Sequence, residues 1–259
     1  EMILYVYLQG GLGNQMFQYA AGLSALKEYP QFTDLRLDCS FYNNQERKVI
    51  VNGLTGRGYD LDLLNIKHNI VEEAPEGATM LQGWFQNLEE FANVEDEVRK
   101  QFTFVNPFPK NIEHLDQIIT HSPSHTVSIH VRRGDFINNP TAFAHNEHMG
   151  PEYYRKAMDV MEDKYDDLTY FVFSEDEEWC RENIKNDKHP VIVIGNDYAG
   201  DRDTGHFHLM QRCENHIIAN STYSWWAAFL GNSKVTVGPK KWFTNENGSE
   251  IMLSNWIKL

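Results

Sequence analysis

Val127-Ser128-Ile129-His130-Val131-Arg132-Arg133-Gly134-Asp135 lies near the middle of a chain of 259 residues. Apolar side chains alternate from Val127 to Val131, the period of a β-strand. The strand then ends in two guanidinium groups, a glycine and a carboxylate. In an open α/β sheet, ligands bind at the carboxyl ends of strands. Two arginines there point to a phosphate-bearing ligand, because the guanidinium fork matches phosphate oxygens. Taken alone, an Arg-Asp surface ion pair is the competing reading.

The rest of the second half repeats this grammar. Short apolar runs at Tyr170 to Phe173, Val191 to Ile194, His216 to Ala219 and Val235 to Val237 predict further strands. Helical patterns separate them, and Pro151 opens one at its first position. Five such runs predict a parallel, doubly wound sheet. Ser174, with Glu175 and Asp176, closes one run; Ser221, Thr222 and Ser224 follow another. Hydroxyls just before helices suit phosphate, and they suit ordinary N-capping equally. Trp225-Trp226 reads as core. Ile137 to Met149 reads as a polar loop.

The first half opens with an apolar run, Met2 to Leu8, followed by Gln9-Gly10-Gly11-Leu12-Gly13-Asn14-Gln15 and a helical pattern. Asn14 is the expected N-cap. A dinucleotide fingerprint needs a glycine where Met16 stands, and a P-loop needs Gly-Lys-Ser/Thr where Asn14-Gln15 stands. A tight turn without a ligand competes with ligand contact here. Leu35 to Asp38 and Ala78 to Phe85 read as strands, residues 40–58 as a long loop, and Tyr59 to Ile66 as a short helix. Asn87 to Lys100 reads as an acidic helix, and another helix is centred on Ile112 to Ile119. The shift in composition near residue 122 is the expected boundary between domains 1–122 and 123–259.

Composition narrows the function. Net charge is -14, from 23 basic and 37 acidic residues, which argues against nucleic acid as a partner. Cys39, Cys180 and Cys213 follow no metal-ligand spacing, and their low, odd count fits reduced thiols in a cytoplasmic protein. Met2 to Leu8 is too short for a signal peptide, and no apolar run reaches the length of a membrane span. Membrane association is therefore expected to be peripheral at most, on the inner face.

Three stretches together resemble the α-1,2-fucosyltransferases of glycosyltransferase family 11. They are Gly10 to Ala20, His130 to Asp135, and Ile217-Ile218-Ala219-Asn220-Ser221-Thr222-Tyr223-Ser224-Trp225-Trp226-Ala227-Ala228. Gly83 to Asn87 and Phe171 to Asp176 are weaker matches in the same order. The resemblance implies a GT-B-like fold of two Rossmann-like domains facing a cleft. The first domain would bind the acceptor and the second the GDP-sugar. It implies transfer of L-fucose, with inversion and no metal or cofactor, from GDP-β-L-fucose to the 2-hydroxyl of a terminal galactose in a glycan. Arg132 would hold the β-phosphate, with Arg133 and Asp135 fixing the geometry and His130 beside the guanosine. Asn14 would touch the fucose-phosphate region, and Gly11, Gly13, Gln15, Ser174, Asp176, Ser221, Thr222 and Ser224 complete the expected donor site. Arg132, Asn14 and Asp135 are the expected catalytic groups.

Two points stay open. Asp38, Asp135, Glu147 and His148 are all candidates for the base that takes the acceptor's proton. Relatives carry an Asp at the position of His206, where it reads the guanine edge. A His cannot accept the N1–H and N2–H pair as a carboxylate does, which leaves Asp201 or Asp203 for that task, or a weaker guanine preference. The competing functions are a transferase with another nucleotide sugar or linkage, and a nucleotide-sugar-binding protein without catalysis.

Overall fold

The computed structural model describes residues 2–52, 54–145, 149–231, 233–244 and 251–259, and only the backbone of residues 135–136 and 143–145. The chain forms two compact units, Glu1–Pro107 and Phe108–Leu259. The division falls at the proline pair 107/109, earlier than the expected boundary near 122.

In the first unit, β1 (Met2–Tyr7), α1 (Leu12–Glu28) and β2 (Phe32–Asp38) form a right-packed start. A small antiparallel hairpin, β3 (Ile50–Val51) with β4 (Leu54–Thr55), precedes β5 (Asn69–Val71) and β6 (Thr79–Leu81). The main sheet is parallel in the order β5-β2-β1-β6. The chain therefore winds outward from β1 and then returns to its other side. Leu4, Val6 and Leu8 are buried, as the alternation requires. Gly22 of α1 lies on the sheet: a Cβ there would stand 2.6 Å from Val6 Cγ2.

Several expectations for this unit change. The long loop holds a 3-10 turn (Ser40–Tyr42) and the hairpin, and the short helix shrinks to Leu61–Leu63. The strand Ala78 to Phe85 is only Thr79–Leu81. The acidic helix divides into turns Leu88–Glu90 and Ala92–Val94 before α2 (Glu95–Gln101). Asn87 accepts from the Glu89 N–H and starts the first turn, while Phe91, at φ -141, breaks the helical run.

The second unit begins with α3 (Lys110–Thr120), whose Asp116 binds Arg212 Nε at 2.7 Å and His208 Nε2 at 3.2 Å. Those bonds place the helix here rather than in the first unit. Then follow β7 (His125–His130), α4 (Gly134–Asn138), α5 (Pro140–His145), α6 (Pro151–Lys164), β8 (Leu168–Phe173) and α7 (Glu177–Asn183). The chain continues through β9 (Val191–Ile194), α8 (Thr204–Arg212), β10 (Asn215–Ile217), α9 (Thr222–Leu230), β11 (Val235–Gly238) and β12 (Ile257–Lys258). Thus α4 and α5 occupy part of the expected polar loop. All six strands are parallel, in the order β12-β11-β10-β7-β8-β9.

This is a doubly wound sheet whose order reverses between β7 and β10. Val127, Ile129 and Val131 bury one face against Tyr154, Met158 and Met161 of α6. Trp225 and Trp226 are fully buried core, and Trp225 Nε1 donates to the Ile251 carbonyl at 2.7 Å. Both units thus have the Rossmann-like α/β topology expected of a GT-B-like chain.

The close approach of α1 to β1 yields a test. Gly22→Val should destabilise the chain by about 1–3 kcal/mol, because the new methyls overlap Val6 and Leu35. A shift of the urea midpoint at unchanged slope would register it.

Candidate functional site

The reversal between β7 and β10 leaves a crevice at their carboxyl ends. Val131 N–H still donates to the Phe173 carbonyl at 3.0 Å, so the chain leaves the sheet at Arg132. Arg133 is then held on three sides. Its Nε donates to Asp176 Oδ2 at 3.2 Å, its guanidinium lies 4.3 Å from the Trp179 ring centroid, and its backbone N–H donates to Glu175 Oε1 at 2.9 Å. The Gly134 N–H donates to the same oxygen. A Cβ at Gly134 would stand 2.6 Å from it, so only glycine admits the carboxylate. Asp176 also caps α7 by accepting from the Trp179 N–H at 3.1 Å, and Ser174 Oγ accepts from the Asp176 N–H at 3.1 Å.

Arg133, Ser174 and Asp176 therefore brace the loop. Glu175 belongs with them, although nothing in the local sequence marks it. Glu175, Asp176, Glu177 and Glu178 line a cavity of about 460 Å³ beyond Arg133. A diphosphate is repelled by that wall, so the anion-binding side is that of Arg132 and β10.

There α9 begins at Thr222, with Ser221 as N-cap. The Ser221 hydroxyl makes no capping bond, and the first turn carries no acidic residue. Ser224 Oγ donates to the Ser221 carbonyl at 3.4 Å. The backbone N–H groups of this turn are thus left to a ligand or water, the usual basis of anion binding at a helix start. Tyr223, in the same turn, stands 5.4 Å from the His130 ring, centroid to centroid.

His130 is 5% exposed, and its Nδ1 has no hydrogen-bond partner. Burial, then the charges of Arg132 and His206, push its pKa down to about 3. It is a neutral imidazole offering a ring nitrogen. The charge of Arg132 is felt at His130 and at Tyr223 alike, which sets the guanidinium on this side.

His206 is committed elsewhere. Its Nε2 donates to the Gly195 carbonyl at 2.9 Å, its ring meets Phe173 edge-on, and burial lowers its pKa. It ties α8 to the turn after β9. Beside it, Arg202 and Asp203 adopt left-handed φ of 49° and 63°, and Tyr223 Oη donates to the Asp203 carbonyl at 2.6 Å. Such backbone persists only where its surroundings hold it.

The first unit places the glycine turn at the carboxyl end of β1. The helix starts at Leu12 with Gly11 as N-cap, so Asn14 stands inside the first turn rather than at the cap. Gly10 has φ +78, and a Cβ there would stand 2.5 Å from Asn14 Nδ2. Asn14 Oδ1 accepts from Gln86 Nε2 at 2.8 Å. Gln15 is fully buried: its amide reaches Gly10 and Gly58 carbonyls at 3.1 and 2.8 Å and accepts from the Asp60 N–H at 2.9 Å. It shapes the loop and cannot face a donor, against expectation. Gly13 lies buried in α1.

Two groups passed over in the sequence reading sit at this edge. Arg57 Nη1 is 3.4 Å from where a Gly11 Cβ would be. Trp84, 48% exposed, precedes Phe85, whose φ is a left-handed 51°. Of the candidate bases, Asp38 is buried and both its oxygens accept backbone N–H groups, from Ser40 at 2.8 Å and Ala74 at 2.9 Å. It is structural. Glu147, His148 and the side chain of Asp135 lie outside the described residues.

Residues 65–259 match the family described as Glycosyl transferase family 11. An Escherichia coli alpha-1,2-colitosyltransferase is 29% identical over 303 aligned positions, covering 99% of this chain and 99% of that one. A Mus musculus galactoside alpha-(1,2)-fucosyltransferase 1 is 28% identical over 145 positions, covering 54% of this chain and 38% of that one. Among solved structures, the glycosyl transferase family 9 protein of Veillonella parvula DSM 2008 shares the fold at a TM-score of 0.52 and 11% identity, covering 100% of this chain and 85% of that one.

The buried imidazoles predict an acid-sensitive fold. His130 and His216 are both held down to about 3, chiefly by burial, against an ordinary value near 6.5. Folded-state pKa values below the unfolded ones mean that the unfolded chain binds the extra protons. Stability should therefore be full above about pH 6.5 and fall as the pH drops toward about 3. His216→Asn, which keeps a partner for Ser128, should flatten that decline in urea titrations between about pH 7 and pH 4.

Proposed function

The chain belongs to glycosyl transferase family 11, and from that premise we propose that it is an inverting α-1,2-fucosyltransferase. It moves L-fucose from GDP-β-L-fucose to the 2-hydroxyl of a terminal galactose. The observation that carries the donor half is the convergence, at one sheet edge, of Arg132, a neutral buried His130 and the uncapped start of α9. The three motifs and the mouse relative's name support fucose and galactose.

In the reaction the acceptor oxygen attacks the anomeric carbon as the bond from that carbon to the β-phosphate oxygen breaks. The electron pair leaves with GDP. Arg132 and the first-turn N–H groups of α9 meet the charge that develops on this oxygen, so they stabilise the transition state more than the bound donor. Arg133 holds the loop from which Arg132 reaches. A guanidinium and a helix start perform the charge stabilisation that a divalent ion performs elsewhere, which makes the reaction metal-independent. Neutral His130 presents a ring nitrogen to the nucleoside without adding a second cation. Asn14, steadied by Gln86, serves the sugar-phosphate end of the donor. Trp84 offers an aromatic face to the acceptor's sugar ring.

A second reading keeps this architecture and changes the donor. The Escherichia coli relative is named for colitose, which is fucose without its 3-hydroxyl, and His206 departs from the carboxylate of the relatives. A donor panel separates the two. Transfer from GDP-fucose well above that from GDP-colitose, with none from GDP-mannose, upholds the first; preference for GDP-colitose upholds the second.

Arg132→Ala should lower kcat by roughly 10²–10³-fold or more while leaving the circular dichroism spectrum unchanged. Near-normal turnover in that variant would remove the leaving-group assignment. EDTA should leave transfer unaltered; strict dependence on Mn²⁺ contradicts this mechanism. Trp84→Ala should raise the acceptor KM roughly tenfold with the donor KM little changed, and Trp84→Phe should restore most of it.

A further inference from the structure

The hairpin β3–β4 has no place in the transfer chemistry. Its base is firmly built. Arg47 Nη1 donates to Asp60 Oδ1 at 2.7 Å and Nη2 to the Tyr59 carbonyl at 2.8 Å. The Lys48 N–H donates to the Gly56 carbonyl at 2.9 Å, and the Gly56 N–H to the Val49 carbonyl at 2.7 Å. A Cβ at Gly56 would collide with the Glu46 carbonyl oxygen at 1.8 Å, so glycine is required there. Val51 pairs with Leu54 and Ile50 with Thr55, which leaves Asn52-Gly53 as the two-residue turn. Asn52 has the left-handed φ of 52° that such a turn demands.

The tip carried on this base is apolar. Val49, Ile50, Val51 and Leu54 are 41%, 44%, 61% and 66% exposed. Cross-strand partners share a face and neighbours along a strand alternate. Val51 and Leu54 therefore lie on one face and Ile50 on the other. A flat protein surface can cover one face of a hairpin; covering both needs a medium that surrounds the tip. Strands of two residues also offer too short a ladder for pairing with a second copy.

The charges agree with that medium. Between residues 43 and 58 the chain carries Arg47, Lys48 and Arg57 against one acid, Glu46, in a protein of net charge -14. An uncharged apolar tip above a basic base matches the order of an acyl boundary beneath anionic headgroups. The rest of this acidic chain is repelled by such a surface, so attraction is confined to this end.

We propose that the hairpin is a membrane-contact element, inserting Val51, Leu54 and Ile50 at the surface of a bilayer bearing anionic lipids. The inference stands apart from the identity of the donor or acceptor.

The test is sedimentation of the full chain with vesicles of phosphatidylcholine alone or mixed with phosphatidylglycerol. The wild type should pellet with the mixed vesicles and much less with the neutral ones. Val51→Asp with Leu54→Asp should reduce binding at least about tenfold, and Lys48→Glu should reduce it several-fold. Both variants should melt as the wild type does, since these side chains are exposed; Leu54→Ser is a milder check. The proposal is overturned if the wild type stays in the supernatant, or if the double variant binds equally well. It is also overturned if the tip instead drives self-association, seen as a concentration-dependent dimer that the double variant loses without any vesicle binding.

Discussion

The hold on Arg133 is the constraint from which the donor site follows. One side chain joins the end of β7 to the start of α7: a carboxylate at 3.2 Å, an indole at 4.3 Å, and Glu175 on its backbone N–H at 2.9 Å. A guanidinium can bond in its plane and stack on its face at once, which an ammonium cannot do. The two adjacent arginines therefore divide the work. Arg133 is held by the protein, and its hold fixes the stem from which Arg132 reaches the opposite side. The doublet that first drew attention is one structural group and one chemical group.

Electrostatics then sorts the crevice. Four carboxylates, Glu175 to Glu178, stand beyond Arg133, while the start of α9 carries none. An anion placed by chance would meet the acidic side as readily as the basic one. The brace on Arg133 separates the two, so that the field of a strongly acidic chain is reversed over one short stretch of sheet edge. His130 contributes by staying neutral: a protonated imaccidental charge there would compete with Arg132 for the same phosphate, and burial prevents it.

Much of this was legible in the sequence because parallel strands buried on both faces are short apolar runs. Val191 to Ile194 is read residue for residue. The strands that escaped, β5 and β12, have three and two residues, and their pairing is set by β2 and β11 rather than by their own pattern. The site divides in the same way. Glycines, arginines and helix starts are local signals and were found. The tasks of Gln15 and Glu175 depend on groups more than forty residues away: Gly58 for the first, Arg133 for the second. No spacing encodes such bonds, and so Gln15 was read as a ligand group and Glu175 was left out.

The first unit shows why the glycine turn matches neither familiar nucleotide motif. In both of those the glycines clear space for a phosphate. Here Gly10 clears space for the chain's own Asn14 amide, 2.5 Å from the missing Cβ, and Gln86 fixes that amide from the neighbouring strand's loop. Gln15, one residue on, faces inward and ties the turn to residues 58–60. Adjacent polar residues on a helix point about 100° apart, so one of the pair can anchor the turn while the other is presented at the strand ends. The Asn-Gln pair thus repeats, with amides, the division made by the two arginines: one residue holds the loop and its neighbour is left to meet a ligand.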